Sequence, residues 1–220
     1  SVQVVTSLPL RPAVPLVTQS GSGLVTSNKS ASFLFPSNFL ENTADIELML
    51  SPFPLTKFSG GLSYLLTYPH GCLEQTTSKV FPLLYFKDLA RAMDQELFVK
   101  NDADYYVVEG IRKIESMVLY NGLFSYWPSG SYSNHWSSIY AAHFLVEARK
   151  VGYQVSDRVY DRMVSGLQFQ ARQAGRDFRE NDRIAYACYV LALIGVPEES
   201  TMNYLKNNQR NALSDSGWFH

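Results

Sequence analysis

The sequence is short of cysteine, of charge of either sign and of long apolar runs. Two cysteines, Cys72 and Cys188, in 220 residues are too few for a disulfide framework, so their number fixes no redox compartment. Charged residues make up 18% of the chain and balance to a net charge of -1. That leaves no basic field for nucleic acid and no polybasic patch for anionic lipid. No apolar run approaches the roughly 18 residues that a membrane-spanning helix needs. Ser1-Val2-Gln3-Val4-Val5 has no basic segment followed by an apolar one, so no targeting signal is visible. The chain starts without Met and stops abruptly at Ser216-Gly217-Trp218-Phe219-His220, which reads as a piece of something longer. What is present, 46% apolar residues over a length sufficient for one large domain, is the composition of a soluble globular protein.

The apolar pattern changes period near Pro52 and Pro54. Before them, Val2, Val4 and Thr6 alternate with their neighbours. Leu16-Val17-Thr18 and Leu24-Val25-Thr26 flank Gly21-Ser22-Gly23, and Ile46, Leu48 and Leu50 alternate with Glu47 and Met49. Residues 1–55 therefore read as a short β segment. Afterwards the period is about 3.6. Val107, Ile111, Ile114 and Val118 share a helical face, as do Ile139, Ala142 and Val146, and Tyr160, Val164, Leu167 and Ala171. The stretch Ile184 to Ile194 is instead apolar all round. It follows Asn181-Asp182, read as its N-cap, and ends at Gly195 with Pro197 beyond. One-sided helices alternating with an all-round apolar one predict two layers. Gly-aromatic loops at Gly122-Leu123-Phe124-Ser125-Tyr126-Trp127 and Gly217-Trp218-Phe219 hint at a repeat of helical hairpins. The expected fold is mainly α: an α/α toroid of helical hairpins over 56–220, preceded by the β segment.

The chemistry concentrates in Tyr68-Pro69-His70-Gly71-Cys72-Leu73-Glu74-Gln75. If a helix opens near Gly71, Cys72 and Gln75 lie three apart on one face and their side chains can touch. A thiol held against a carboxamide at high effective concentration can displace ammonia and leave an internal thioester. Amide N–H groups at a helix start favour a thiolate and a developing oxyanion, and Gly71 permits the bend leading in. Such a stored acyl donor must be kept dry. Tyr64, Tyr68, Phe81, Tyr85, Trp127 and Trp136 are the candidate shields.

Plainer readings exist for each residue. Cys-x-x-Gln at a helix start is far more often a buried small residue beside a polar one. His70 and Cys72 are too close in sequence for the usual geometry of a catalytic pair, and no third group orients them. His135 and His143 have no companion ligands at metal-binding spacing. Cys188 in an apolar helix reads as packing, and Glu74 in a first helical turn is explained by the helix dipole.

The segment from Tyr68 through Thr76-Thr77-Ser78 resembles the thioester signature of the alpha-2-macroglobulin family, in the form of its bacterial members, where Leu73 replaces the Gly usual in animal and complement members. Phe124-Ser125-Tyr126-Trp127-Pro128, Trp136-Ser137-Ser138-Ile139-Tyr140-Ala141 and Gly152-Tyr153 resemble the aromatic loop and following helix of that family's thioester domain. Arg183 to Gly195 resembles a later core helix, and Arg11-Pro12-Ala13-Val14-Pro15 resembles the flanking CUB-like β domain. His70 departs from the pattern, standing where bacterial relatives commonly carry Tyr. The family's toroid also needs more hairpins than this chain supplies, so the domain is expected to be incomplete or shortened.

The resemblance implies a broad-spectrum endopeptidase inhibitor and not a turnover enzyme. Cys72 would be the thiol and Gln75 the acyl carbon, with proteases captured covalently through lysine amines or hydroxyls after cleavage of a bait segment elsewhere. It implies no cofactor, no metal and no nucleic-acid partner. The implied location is the periplasm or cell envelope, with any membrane attachment through a lipid anchor outside this chain. Two rivals stand beside it. One is an α/α-toroid enzyme, a terpenoid cyclase or glycosidase, which would need clustered carboxylates such as Asp102 and Asp104, or Asp177 and Asp182. The other is a binding module whose thioester is inactive.

Overall fold

The computed structural model describes residues 71–93, 98–99, 101–173 and 178–220, with scattered positions between 15 and 50. The chain divides into two compact units, Ser1–Pro52 and Phe53–His220. In the first unit the expected strand at Val2, Val4 and Thr6 lies outside the described residues, as do Glu47 and Met49. Val17, Leu24, Val25, Ile46, Leu48 and Leu50 are described; no strand is assigned to them, and all are exposed. Alternation marks a face that another layer would bury, and no described residue supplies that layer.

The second unit is helical. We number its helices α1 (Leu73–Val80), α2 (Lys87–Met93), α3 (Ala103–Glu115), α4 (His135–Lys150), α5 (Asp157–Ala171), α6 (Phe178–Leu193), α7 (Glu199–Asn208) and α8 (Asp215–Phe219). The starts of α3, α4 and α8 are set by short polar side chains. Asp102 accepts the Tyr105 N–H at 2.8 Å, Asn134 accepts that of Ser137 at 3.0 Å, and Ser214 Oγ accepts that of Gly217 at 3.3 Å. Gly195, at φ +79°, ends α6, and the Val196 N–H closes back to the Leu191 carbonyl at 3.0 Å.

The α6 start differs from the sequence expectation. Asn181 and Asp182 are not its cap but lie inside it. Asn181 donates to the Ala212 carbonyl at 3.3 Å, and Asp182 accepts the Ser214 N–H at 2.9 Å. Tertiary partners at the start of α8 took side chains that the local pattern assigned to capping. Helix α4 departs as well, being buried on nearly every side: Ser137, Ser138, Ala141, Phe144, Leu145, Glu147 and Ala148 join the expected apolar face. By contrast α3 buries one face, through Val107, Gly110, Ile111 and Ile114, and α5 does so through Met163, Gly166, Leu167, Gln170 and Ala171.

Side-chain contacts give the helix directions. The loop at the start of α1 meets the start of α4 through Phe124 and Ser138, while Phe81, just past the end of α1, packs on Tyr140, His143 and Phe144. His135 meets Arg183, and His143 meets Tyr186 and Tyr189 further along. Asp182 meets Ser214, and Tyr186 meets His220. So α1, α4, α6 and α8 run parallel, side by side, with their N-terminal ends together. Helices α3 and α5 run the other way behind them. Lys79 near the end of α1 lies over Tyr106 near the start of α3, and Arg149 at the end of α4 pairs with Asp157 at the start of α5. These two layers of antiparallel hairpins bury one continuous core around Leu73, Ile114, Phe144, Leu145, Met163 and Ile184. No described helix is long and apolar enough to cross a membrane.

Candidate functional site

Cys72 is the N-cap of α1, with extended backbone (φ -63°, ψ 176°), and its own carbonyl accepts the first helical bond from Thr76 at 2.9 Å. Its side chain takes the place of the Ser or Thr hydroxyl of a capping box, over the Gln75 N–H. The reciprocal half is explicit: the Cys72 N–H donates to Gln75 Oε1 at 3.1 Å. The carboxamide of Gln75 is thus folded back toward Cys72, each of the two side chains meeting the other residue's backbone N–H. Cys72 is only 4% exposed, whereas Gln75 is open to solvent. Gly71 leaves room, because a Cβ there would stand 3.1 Å from Thr76 Oγ1, which itself donates to the Gly71 carbonyl at 3.4 Å.

The lid over this helix start is the loop Leu119–Trp127. The Leu73 N–H, one of the amides that a helix start leaves unpaired, donates to the Tyr126 carbonyl at 2.9 Å. The Tyr126 N–H in turn donates to Tyr132 at 3.0 Å, and Ser125 donates to Met117 at 2.8 Å. Ser138 Oγ exchanges hydrogen bonds with both the Phe124 N–H and carbonyl, at 3.1 and 3.2 Å, pinning the loop to α4. Behind it, Gly122 at φ +81° presses on α5, where an added Cβ would lie 2.0 Å from the Arg162 carbonyl. Interaction with Cys72, ahead of burial, holds the pKa of Tyr126 above the ordinary phenol value.

The other singled-out residues fall as follows. Trp127 stands perpendicular to Tyr126 with ring centres 5.7 Å apart, so of the named shields it lies beside the site, though half exposed. Phe81 is at the opposite end of α1, Tyr85 donates to Glu147, and Trp136 lies on Tyr186. Tyr64, Tyr68 and His70 lie outside the described residues. Sequence reasoning named the loop but missed Tyr126 as the residue whose carbonyl meets the helix start beside Cys72, since only the fold brings positions so far apart in the chain together. His135 accepts from Arg183 and His143 meets the Tyr186 hydroxyl at 3.0 Å. Burial, first in each case, lowers both pKa values. Cys188 is buried in α6 and its thiol is pushed up to about 12, again by burial first.

The carboxylates a toroid enzyme would need are otherwise engaged. Asp102 caps α3, Asp104 pairs with Lys87 at 2.6 Å and with Tyr153, and Asp182 holds Ser214; Asp177 lies outside the described residues. Among the described residues no group of three or more His, Cys, Asp or Glu side chains is placed to hold a metal.

Comparison with known proteins agrees with this arrangement. Residues 43–186 match the model of the A-macroglobulin TED domain. The chain is 34% identical over 155 residues to the alpha-2-macroglobulin of Escherichia coli K12, a match covering 66% of this chain and 9% of that protein. Salmonella alpha-2-macroglobulin reacted with methylamine superposes with a TM-score of 0.58 at 28% identity, over 70% of this chain and 11% of that one. Escherichia coli alpha-2-macroglobulin activated by porcine elastase does so with a TM-score of 0.55 at 27% identity, over 66% and 14%. The chain thus spans about a tenth of the curated relative's length. With the family model matched across the helix that carries Cys72, the loop that covers it and most of the two-layered core, this chain belongs to the alpha-2-macroglobulin family and carries its TED domain.

Proposed function

We propose that Cys72 and Gln75 form an internal thioester, and that the parent protein is a bacterial protease trap which uses it once. In formation the Cys72 sulfur attacks the Gln75 side-chain carbonyl carbon, the C–N bond breaks and ammonia leaves. In use, an amine or hydroxyl of the captured protease attacks the same carbon. The C–S bond breaks, the Cys72 thiol is released and an amide or ester remains, so the site is spent. The observation that carries this reading is the Gln75 carboxamide folded back onto the backbone N–H of Cys72 at 3.1 Å, which keeps the two residues of the pair on one helical turn, where attack within the pair is far easier than between free side chains.

Gln75 is open to solvent among the described residues, so its shield has to be completed from outside them, by Tyr64 and Tyr68 of this chain or by other parts of the parent. Two relatives set the chemistry in context, one solved after reaction with methylamine and one after activation by porcine elastase. By the same reading the helical hairpins are part of an α/α toroid, activation follows cleavage of a bait segment elsewhere, and the parent acts in the periplasm or cell envelope.

Intact mass tests it. Freshly purified parent protein should weigh about 17 Da less than its sequence, the mass of one ammonia. Methylamine should then add to Gln75 and expose one new thiol at Cys72. A full-sequence mass, with Cys72 alkylated at once and no methylamine adduct, would remove the thioester and leave a noncovalent module.

A further inference from the structure

A second feature lies at the same end of the parallel layer as Cys72 and is independent of the thioester reading. It is a cleft of about 790 Å³ between the Gly122 loop, the end of α5 and the starts of α4 and α6. That is within the roughly 300–1,000 Å³ of small-ligand sites. Two of its walls carry polar groups left unmade. Gln170 is 3% exposed and its Oε1 has no hydrogen-bond partner. The guanidinium of Arg183 is oriented by donating to His135 Nδ1, yet its buried Nε–H also has no partner. The residues that carry this buried acceptor and buried donor both line the cleft, and a ligand that settles between them can supply both complements.

The charge and shape narrow that ligand. Arg162 adds a second guanidinium to the lining. Glu180, the acid in the lining, has an interaction of its own. Phe169, 65% exposed, and Leu123 give an apolar wall. We propose that this cleft binds the free carboxyl terminus of a peptide. The terminal carboxylate lies against Arg162 and Arg183 Nε, the last amide N–H donates to Gln170 Oε1, and the final side chain rests on Phe169 and Leu123. Only one carbon separates that N–H from the carboxylate, whereas an internal acidic side chain sets them further apart and an inorganic anion has no N–H to offer.

The test is fluorescence anisotropy on the 220-residue chain with fluorescein-Gly-Gly-Leu and its C-terminal amide. The acid should bind at least about tenfold more tightly than the amide. Arg162→Gln should close that gap, and Gln170→Leu should weaken the acid about tenfold with the melting temperature held or raised. Absence of binding, equal binding of acid and amide, or a gap that survives Arg162→Gln would overturn the proposal. So would displacement of the peptide by acetate at the peptide's own affinity, which would mark a general anion hollow. Should Gln170→Leu fail to fold, Arg162→Gln at its half-buried position still decides.

Discussion

Cys72 is buried while Gln75, three residues on, is open to solvent. Beside them stands one residue from outside the motif, Tyr126, whose carbonyl holds the Leu73 N–H at 2.9 Å and whose pKa is raised first by its interaction with Cys72. If the ring is the barrier, then in methylamine-treated protein, where Cys72 is a free thiol, Tyr126→Ala should raise the rate of its alkylation by iodoacetamide about tenfold, equivalent to ~1.4 kcal/mol, while Tyr126→Phe should change it by less than about twofold. Similar acceleration in both variants would show that the hydroxyl, not the ring, controls access. The pair itself was legible in the sequence because it is local: spacing on one helical turn fixes which side chains meet. Tyr126 was not, because its contact depends on how a distant loop is seated, and no periodicity records that.

At the scale of elements, the seat of that loop is glycine against helix. Gly122 combines left-handed backbone with a Cβ position 2.0 Å from the Arg162 carbonyl, and a Cβ on Gly166 of α5 would stand 2.7 Å from the Gly122 backbone. Gly152 also has positive φ, +101°, but nothing within 4 Å of its Cβ position. Gly152→Ala should therefore cost about 1 kcal/mol of backbone strain, and Gly122→Ala more than about 3 kcal/mol, since neither backbone can yield cheaply. Thermal melts of the two variants rank them directly. Loss of the α4 cap in Asn134→Ala should cost about 1 kcal/mol in the same measurement. The one-sided helices α3 and α5 were legible because solvent on one side writes a 3.6-residue period into the sequence. Helix α4 was read as one-sided because small residues such as Ser137, Ser138 and Ala141 are buried without being strongly apolar. The Asn181–Asp182 cap misled for a related reason: a good capping pair is equally good at holding the start of another helix.

Across the helical unit, the parallel set α1, α4, α6 and α8 gathers four N-terminal ends, and with them Cys72 and the arginine-lined cleft, at one pole. Aligned helix starts make that pole favourable for anionic groups, from a thiolate or an oxyanion to a carboxylate. Along the layer runs a contrasting band of imidazole and phenol. His143 faces Phe81, Tyr186 and Tyr189, His220 stacks on Tyr186 at 4.2 Å, and His135 sits against Arg183. All three histidines are held below the usual imidazole value, first by burial; Arg183 adds to this at His135, and His220 and Lys150 at His143, against Glu147. The folded state thus binds fewer protons than the unfolded chain just below the ordinary histidine pKa of 6.5. Their contribution is complete above that value and is lost as pH falls through the depressed folded values. Asp104, lowered by Lys87 and Tyr153, behaves in the same sense but only below its ordinary 3.8. Melting temperature should therefore be flat from pH 8 to 7, fall in a first step below about 6.5 and in a second in the carboxylate range. His143→Phe, which keeps an aromatic ring among Phe81, Tyr186 and Tyr189, should shrink the first step and spare the second. A first step unchanged in that variant would assign the acid sensitivity to the remaining histidines.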